Sequence, residues 1–510
     1  MTGLLLAGVA PLDAVLTQTV VMFLILGSVA VTSVLVGRGI ARRLVSHPGA
    51  ASLDPSRHRC LLRGLANQVD LYRDALVPLE AEQQRLCAEH QKLRGGMKAE
   101  FDGDLRTLEA IEAAEDHAAP ARREAAWRAV SDRFLADKPA LDDLFDRLLI
   151  NRTAQTRAAG FADYRDYRFR QLARFDYGPA DCLAFHAAIE AAVVPLACEL
   201  LAQRARELGR AQVRPWDLQA PRAGRPALRP FADVDALIAG CRQVFTAVDP
   251  DLGHQFAGLA GLGLLDLMSR PGKAPGGYQA NLEASGLPFI FANAVGRHED
   301  VLTLLHEGGH AFHALASADD PLIWNRSPPM EFCEVASMGM ELLASEHLGA
   351  FYSPAELRQA STQQLESIVL FLPYMACVDA FQHWLYTHPD DALHARARDT
   401  TWLALHRRFF PTVDWSGLEA ERAALWHRKL HIFELPFYYV EYGIAQLGAL
   451  QVFAGHQRDP AGTVAAYRRG LSLGARAGLR ELFTAAGLRF DLGEEAVRTC
   501  MDVVRGGLCM

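Results

Sequence analysis

The chain has 510 residues, of which 50% are hydrophobic and 22% charged, and this composition is ordinary for a globular protein. The net charge of −8 and the lack of a clustered basic stripe argue against nucleic acid as the main partner. The nine cysteines are scattered, odd in number and never in a CxxC pair. They predict free thiols in a reducing compartment rather than a disulfide framework.

The first predicted element is an apolar segment near the N-terminus. Residues 14–37 carry no charge, and Val15–Val36 is long enough to cross a bilayer. Arg38, Arg42 and Arg43 follow it, and positive charge on this side places the bulk of the chain in the cytoplasm. A cleaved secretory signal fits less well, because no basic region precedes the apolar core. We therefore expect a cytoplasmic protein with membrane contact through residues 14–37, the alternatives being a buried N-terminal helix or an incorrect start codon.

The rest of the chain carries the apolar spacing of α-helices. Apolar residues recur at three- and four-residue steps, which predicts a mostly α-helical fold. We divide the chain into the N-terminal segment 1–45, a helical region at 46–145 and a larger helical region at 146–510. Helices are predicted over residues 61–93, 104–118, 122–148 with a break at Pro139, and 179–208 with a kink at Pro195.

The most informative stretch is HEGGH at residues 306–310, inside a helix predicted over residues 299–317. His306 and His310 are four residues apart, so their imidazoles project from one helix face, one turn from each other. That arrangement suits a tetrahedral zinc ion, and Glu307 could take a proton from a water on the metal. Two surface histidines on an amphipathic helix would give the same pattern, so a third ligand must distinguish the two interpretations.

Two glycines in this motif are unusual for a helix interior. Gly308 and Gly309 should each cost about 1 kcal/mol relative to alanine at the same position. Their presence predicts that a substrate or a neighbouring helix comes too close to this helix for a side chain.

A third metal ligand is predicted in the following helix. Glu334 begins a second helical pattern 24 residues after His310, which leaves room for one helix to end and another to return. Glu331, one turn earlier, is the rival ligand, and Glu341, two turns later, suits a hydrogen bond to a ligating histidine. A solvated acidic helix face is the alternative, which the apolar residues between these acids disfavour. The set His306, His310 and Glu334 predicts a zinc hydrolase.

Two features ahead of the HEGGH helix could hold a peptide. Residues 269–277 read as a loop whose last glycines are placed for close backbone approach. Residues 289–293, FIFAN, are the best strand candidate, and a free edge there would bind an extended peptide by main-chain hydrogen bonds. The predicted substrate-binding residues are Gly276, Gly277, Tyr278, Phe291 and Ala292.

The last candidate stretch is HIFELPFYYVEYG at residues 431–443. Tyr442 shares a helix face with Tyr438 or with Tyr439. Phenol groups together with a histidine such as His431 are suited to hold the oxyanion of a tetrahedral intermediate. Three tyrosines near a proline could equally be core aromatics. They therefore indicate a catalytic role only in combination with the HEGGH helix.

Together these stretches resemble the thimet oligopeptidase and oligoendopeptidase F family of zinc peptidases, and its oligoendopeptidase F branch in particular. The similarity covers residues 91–451, and although HExxH is shared by many families, its combination with the other motifs is specific. The matching motifs are HEGGHAFH at 306–313, EVAS at 334–337 followed by Glu341, GKxxGGY at 272–278 and PFYYxxY at 436–442.

The resemblance implies a large multi-helix fold with a deep channel that admits short, unstructured peptides, and a small β element beside the HExxH helix. It also implies one zinc ion per chain, held by His306, His310 and Glu334, with Glu307 as general base. The region before residue 91 is shorter than the family's usual N-terminal domain, and the apolar segment is not a family feature.

The resemblance also ranks the candidates for oxyanion stabilisation. Tyr442 aligns best with the family's oxyanion tyrosine, Tyr439 and His431 come next, and Tyr438 stays open. We include His431, Tyr439 and Tyr442 with Glu307 in the expected catalytic set.

These expectations describe a zinc-dependent endopeptidase that hydrolyses internal bonds of short oligopeptides through a water activated by zinc and glutamate. One alternative is a zinc carboxypeptidase that trims peptide C-termini. The other is a membrane-tethered protein that binds peptides without cleaving them. The non-cleaving, membrane-tethered alternative is disfavoured, because a protein that only binds peptides would have no chemical need for Glu307.

Overall fold

The computed structural model describes residues 39–221, 227–270, 273 and 276–508. The apolar segment 14–37, for which membrane contact is predicted, lies outside the described residues. The eight cysteines within the described residues are all free thiols, as the sequence predicts. Two compact units divide the chain, Met1–Tyr72 and Arg73–Met510. In the first unit a 3-10 turn at Pro48–Ser52 precedes helix α1, Pro55–Leu71.

The second unit is built mainly from α-helices, which confirms the predicted fold class. Its first half contains α2 (Leu76–Gly95), β1 (Lys98–Phe101), β2 (Asp104–Thr107), α3 (Leu108–Glu112), α4 (Pro120–Ala159), α5 (Tyr164–Gln171), α6 (Pro179–Ala192), α7 (Val194–Glu207), α8 (Val234–Val248), α9 (Pro250–Gly261), β3 (Leu265–Met268), β4 (Tyr278–Leu282) and β5 (Leu287–Ala294). Its second half contains α10 (His298–Ser317), α11 (Met330–Ala344), α12 (Pro354–Thr387), α13 (Pro389–Ala392), α14 (Ala395–Phe409), α15 (Glu419–Ala423), α16 (Leu430–Glu434), α17 (Val440–Arg458), α18 (Pro460–Ser472), α19 (Leu479–Ala485) and α20 (Glu494–Leu508). Single 3-10 turns lie at Pro215–Asp217, Ile323–Arg326, Ser345–Ala350, Leu425–Arg428 and Gly474–Arg476.

The helix predicted over residues 104–118 is wrong in its first part, where the chain forms an antiparallel hairpin. Strands β1 and β2 pair from Lys98 with Thr107 to Phe101 with Asp104. The two residues between them, Asp102 and Gly103, have φ angles of 54° and 83°. Positive φ at both positions defines a type I′ turn, and Asp-Gly is a strong signal for it. This local turn signal outweighs the helical spacing around it.

The predicted break at Pro139 is also wrong, because α4 runs through this proline over 40 residues. Buried apolar side chains lie on both sides of Pro139, with Val130 and Phe134 before it and Leu141 and Leu148 after it. Their packing outweighs the one helical hydrogen bond that proline removes. Residues 145 and 146, where we place the boundary between helical regions, lie inside this helix.

The predicted kink at Pro195 is present, since α6 and α7 meet at an angle of 41°. Among the described residues, α12 is long and apolar enough to cross a membrane, and so is the bent pair of α6 and α7 if counted as one span. The most apolar stretch of α12 is 72% buried inside the protein, as is typical of a core helix.

The small sheet beside α10 has the strand order β3-β5-β4. The strand predicted at 289–293 lies within β5, which pairs in parallel with β3 and antiparallel with β4. A free edge at Phe291 and Ala292 is therefore a wrong prediction, because both edges of β5 are occupied. The sequence LPFIFANA suits such a buried central strand. Within the described residues β4 pairs with β5 alone, so its other edge is the one next to α10.

Helix packing brings the candidate segments together. Helix α10 packs against α11, and α11 packs in turn against α17. Helix α17 carries the end of the segment at residues 431–443, here called the tyrosine stretch. Strands β4 and β5 lie against α10 on its other side. The HEGGH motif is thus enclosed by the sheet and by the two helices that carry its expected partners.

Candidate active site

Helix α10 presents its two histidines on a face distinct from its core face. The helix begins after Arg297, where the Asp300 carboxylate accepts a hydrogen bond from the Arg297 backbone N–H at 2.8 Å. Apolar side chains of its core face are fully buried, at Val301, Leu304, Leu305 and Phe312. His306 and His310 lie on the other side, with side chains 25% and 17% exposed, so both can reach a ligand.

Three potential metal donors converge between α10 and α11. The ligand atoms of His306, His310 and Glu334 all lie within 4.8 Å of one another. Glu334 Oε2 is 3.4 Å from His306 Nε2 and 3.8 Å from His310 Nε2. Tetrahedral zinc bonds of about 2.0–2.1 Å require donor separations of about 3.3 Å, so the spacing fits this ion.

Two further side chains orient these donors. Glu341 Oε1 lies 2.7 Å from His306 Nδ1, the contact predicted from sequence, and leaves Nε2 directed at the cluster. Ser337 Oγ donates a hydrogen bond to Glu334 Oε2 at 3.0 Å. Burial lowers the pKa of His306, but hydrogen bonds to Glu334 and Glu341 outweigh it and raise the value to about 10. The paired carboxylates thus make this a strongly cation-attracting centre.

Glu331, the rival ligand, belongs to a separate buried network. Tyr177 Oη donates to Glu331 Oε1 at 2.6 Å, and Arg174 Nε lies 3.9 Å from the same oxygen. Arg174 also donates to Glu441 Oε1 at 2.7 Å and to the carbonyl of Phe437. These contacts hold Glu331 away from the histidines and join α11 to the tyrosine stretch.

Replacing Arg174 with methionine should destabilise the protein by about 3–5 kcal/mol, the cost of leaving buried carboxylates without their cation. Burial already raises the pKa of Glu441 to about 8 against the opposing charge of Arg174. Denaturant unfolding of the variant gives the free energy change. The double variant Arg174→Met/Glu441→Gln should recover part of the loss, and equal stability of Arg174→Met and wild type would contradict this account.

Glu307 is buried at the junction of α10 and the edge of β4. Its side chain is 6% exposed, and the Gln279 backbone hydrogen-bonds to its carboxylate. Burial raises the pKa of Glu307 to about 7, the charge of His306 opposes this rise and the charge of Glu334 adds to it. A carboxylate with a pKa near neutrality can both accept and return a proton.

The two motif glycines allow close packing, as the sequence predicts. A Cβ atom at Gly309 would lie 2.6 Å from the Ala336 carbonyl oxygen and 2.7 Å from Ser337 Cα. A Cβ at Gly308 would lie 2.5 Å from the ring of Phe245. The close neighbour at Gly309 is the backbone of α11 itself, so this glycine sets the distance between the two ligand-bearing helices.

The tyrosine stretch brings Tyr438 and Tyr442 within reach of the charge of Glu334, with the His431 ring packed against both. The ring centroids of Tyr438 and Tyr442 are 5.3 Å apart, and the His431 ring stacks on Tyr438 at 5.9 Å. Burial raises the pKa of both phenols, and the charge of Glu334 raises them further. The phenols therefore keep their protons at neutral pH and can donate hydrogen bonds.

Tyr439, the other tyrosine of the expected catalytic set, contacts the same His431 and Tyr442 rings, at 4.9 and 5.7 Å, and also packs against α12. Its ring lies 5.8 Å from Phe371 and 6.1 Å from Tyr374, and the Lys429 ammonium sits 3.8 Å from its centroid. Burial is the main cause that raises its pKa, followed by Tyr374 and Tyr442, with no contribution from Glu307 or Glu334. Among the three tyrosines, the charge of Glu334 therefore acts on the pKa of Tyr438 and Tyr442.

The expected substrate-binding residues fall into an exposed group and a buried group. Gly276, Gly277 and Tyr278 are exposed at the start of β4. Phe291 is 9% exposed beneath Tyr278, whose ring stacks on it at 4.9 Å, and Ala292 is 6% exposed. A Cβ at Gly277 would lie 3.8 Å from Glu307 Oε1, so this backbone passes directly beside the expected base.

Comparison with known protein families identifies the family to which the chain belongs. The chain has the fold and donor set of a metallopeptidase. A model of peptidase family M3 matches residues 114–502, and the chain belongs to that family, which is generally zinc-dependent. Residues 1–45 match the model of an uncharacterised protein family, UPF0014. No curated protein matches the chain.

Solved structures agree with this assignment. PZ peptidase A with inhibitor 2 is 27% identical at a TM-score of 0.86, over 94% of this chain and 84% of that chain. A candidate oligoendopeptidase F is 29% identical at a TM-score of 0.86, over 94% of this chain and 85% of that chain. The oligoendopeptidase-F from Enterococcus faecium, 13% identical at a TM-score of 0.64 over 92% and 79%, shares the fold. The chain is therefore a metallopeptidase that acts on oligopeptides.

Proposed function

We propose that the chain is a zinc-dependent endopeptidase that hydrolyses internal bonds of short peptides. The observation that carries the proposal is the convergence of His306, His310 and Glu334 beside the buried carboxylate of Glu307. Imidazole and carboxylate donors at tetrahedral spacing suit one zinc ion, and protonated phenols face the same centre.

Each side chain has a distinct part in this proposal. His306, His310 and Glu334 would hold the ion, with Glu341 and Ser337 fixing their orientation. Bound zinc would supply Lewis acidity, which polarises a peptide carbonyl and lowers the pKa of water.

Glu307 and the tyrosine stretch would move the protons and bind the developing charge. Glu307 takes a proton from the attacking water and passes it to the leaving amine. Tyr438 and Tyr442 donate hydrogen bonds to the developing oxyanion, with the neutral ring of His431 beside them. Burial and the charge of Lys429 lower the pKa of His431 to about 3, which keeps that ring neutral.

The peptide itself would lie along the exposed start of β4. The residues Gly276, Gly277 and Tyr278 are accessible there, and the Gly277 backbone is next to Glu307. Backbone pairing with a strand edge would read an extended peptide with little regard for its side chains.

Cleavage of a decapeptide blocked at both ends tests the proposal. The N-acetylated, C-amidated peptide is incubated with enzyme, with chelator-treated enzyme and with chelator-treated enzyme given back zinc. We expect internal cuts, identified by mass spectrometry, that vanish with the chelator and return with zinc. The same peptide with a free C-terminal carboxylate is incubated in parallel. Cleavage of that peptide alone would favour a carboxypeptidase instead, and cleavage that survives full removal of metal would contradict the zinc mechanism.

Substitution of single tyrosines by phenylalanine tests the oxyanion contacts. Tyr438→Phe and Tyr442→Phe should each lower kcat by about 10²- to 10³-fold, the effect of losing one oxyanion donor. Tyr439→Phe is the matched control, because the Tyr439 ring packs on Phe371 and Tyr374. A fall in kcat for Tyr439→Phe with wild-type kcat in the other two variants would reverse the assignment.

A further inference from the structure

A second group of metal-binding side chains lies in the core between α6 and α12. Cys182 and His186 are four residues apart on α6, and Asp379 and His383 are four apart on α12. Each pair therefore projects from one helix face, and the two faces meet. All four side chains are buried, with exposures of 0%, 2%, 0% and 4% respectively. Metal sites in helical bundles are built in this way from facing helices.

The donor atoms of this group are arranged like those of the catalytic centre. Ligand atoms of Cys182, Asp379 and His383 lie within 4.8 Å of one another. His383 Nε2 is 3.3 Å from Asp379 Oδ2, close to the 3.4 Å between His306 Nε2 and Glu334 Oε2. Zinc bonds of about 2.0 Å to oxygen and nitrogen and about 2.3 Å to sulfur fit such separations.

Hydrogen bonds within the protein leave these side chains incompletely satisfied. Both ring nitrogens of His383, Asp379 Oδ1 and His186 Nδ1 are buried without a hydrogen-bond partner. His383 Nε2 lies 3.3 Å from Asp379 Oδ2 but without the angles of a good hydrogen bond. Other buried histidines of the described chain leave one ring nitrogen unpaired, whereas His383 leaves both, which an ion or a water bound beside Asp379 would satisfy.

The charge balance of this group also favours a bound divalent cation. Asp379 is a fully buried carboxylate, and Cys182 becomes a thiolate when it binds a metal. Two negative donors and a divalent cation sum to zero charge in a site closed to solvent. Thiolate, imidazole and carboxylate together are a donor set typical of zinc.

We propose that Cys182, Asp379 and His383 bind a second zinc ion, in addition to the one zinc ion per chain that the family resemblance implies. His186 Nε2 lies 2.9 Å from Asp379 Oδ2 and orients this carboxylate, as outer partners of metal ligands do. Because all four side chains are buried, the site is closed to a substrate, and a bound ion would join α6 to α12.

The site would also support the tyrosine stretch. The His383 ring lies 5.2 Å from the ring of Phe437, and the neighbouring Gln382 accepts a hydrogen bond from the Phe437 backbone N–H at 2.8 Å. Phe437 has a φ of 64°, a strained value for a residue with a large side chain. An ion that fixes α12 would hold Phe437, and with it Tyr438, in this conformation.

Metal analysis of the purified full-length protein tests the proposal. We expect two zinc ions per chain in the wild type and one in Cys182→Ser. Cys377→Ser is the matched control, because Cys377 is a fully buried cysteine of α12 outside the group, and it should retain two. Glu334→Gln should also retain one zinc, held by the core group. If the zinc count of Glu334→Gln equals that of the wild type, the proposed catalytic site is contradicted, independently of the core site.

Cobalt substitution of the wild type keeps the test independent of variant folding. Cobalt bound by Cys182 should give thiolate-to-metal charge-transfer absorption, whereas His306, His310 and Glu334 supply no sulfur. Cys333→Ser should retain this absorption, which excludes the cysteine beside Glu334 as its source. A wild-type protein without this absorption, or a Cys182→Ser protein that retains the wild-type zinc count, would overturn the second site.

Discussion

Replacing Glu307 with glutamine should leave the protein folded and loaded with zinc while kcat falls by about 10²- to 10⁴-fold. Glutamine has nearly the same shape as glutamate, so it fills the buried space between α10 and β4. It cannot accept a proton from water at neutral pH. Cleavage of an internally quenched peptide measures kcat, and metal analysis of the same sample measures zinc.

The matched control makes the same chemical change on the same helix. Glu299 is exposed in the first turn of α10, so Glu299→Gln should retain wild-type kcat. A Glu307→Gln enzyme that holds its zinc and turns over at the wild-type rate would remove Glu307 as the base. A variant that has lost zinc would instead show that Glu307 supports the metal centre.

Gly309→Ala should destabilise the protein and weaken zinc binding together. The added Cβ would meet the Ala336 carbonyl oxygen at 2.6 Å and Ser337 Cα at 2.7 Å, and neither atom can move without moving α11. Overpacking of this kind costs about 1–3 kcal/mol, which exceeds the gain of about 1 kcal/mol from the better helix propensity of alanine. Separation of α10 from α11 draws Glu334 away from His310. Thermal unfolding and zinc titration of the metal-stripped protein measure the two effects.

Gly258→Ala is the matched control for this substitution. Gly258 lies exposed in α9, and a Cβ there would have no neighbour within 4 Å. The change should stabilise the protein by up to about 1 kcal/mol and leave zinc affinity unchanged. If Gly309→Ala behaves like Gly258→Ala, the close approach of the two ligand helices is not needed for the metal centre.

The metal centre was predictable because its information is local in the sequence. The spacing of His306 and His310 is a property of one helix, and Glu334 follows on the next. The strand ahead of the motif was predicted from its apolar composition. The close packing at Gly309 was predicted from the cost of a glycine inside a helix.

Features that depend on tertiary contacts were not predictable in this way. Sequence spacing allowed Tyr442 to pair with either Tyr438 or Tyr439. The structure places both rings beside Tyr442, and of the two only Tyr439 also packs against Tyr374 of α12. The occupied edges of β5 depend on β3, which is a strand of four residues.

The continuity of α4 and the core donor group illustrate the same limit. Passage of α4 through Pro139 depends on side chains buried by other elements. His186 and Asp379 are 193 residues apart in the chain, so their pairing follows from the fold alone. The hairpin at Asp102 and Gly103 differs, because its Asp-Gly turn signal was present in the sequence.

The most direct test of the catalytic centre is anomalous diffraction at the zinc absorption edge from crystals of the full-length protein. We predict a peak about 2.0–2.2 Å from His306 Nε2, His310 Nε2 and a carboxylate oxygen of Glu334. Glu331 should remain bonded to Tyr177, outside the metal shell. A zinc-loaded crystal with no peak between α10 and α11, or with Glu331 in place of Glu334, would contradict the proposed centre.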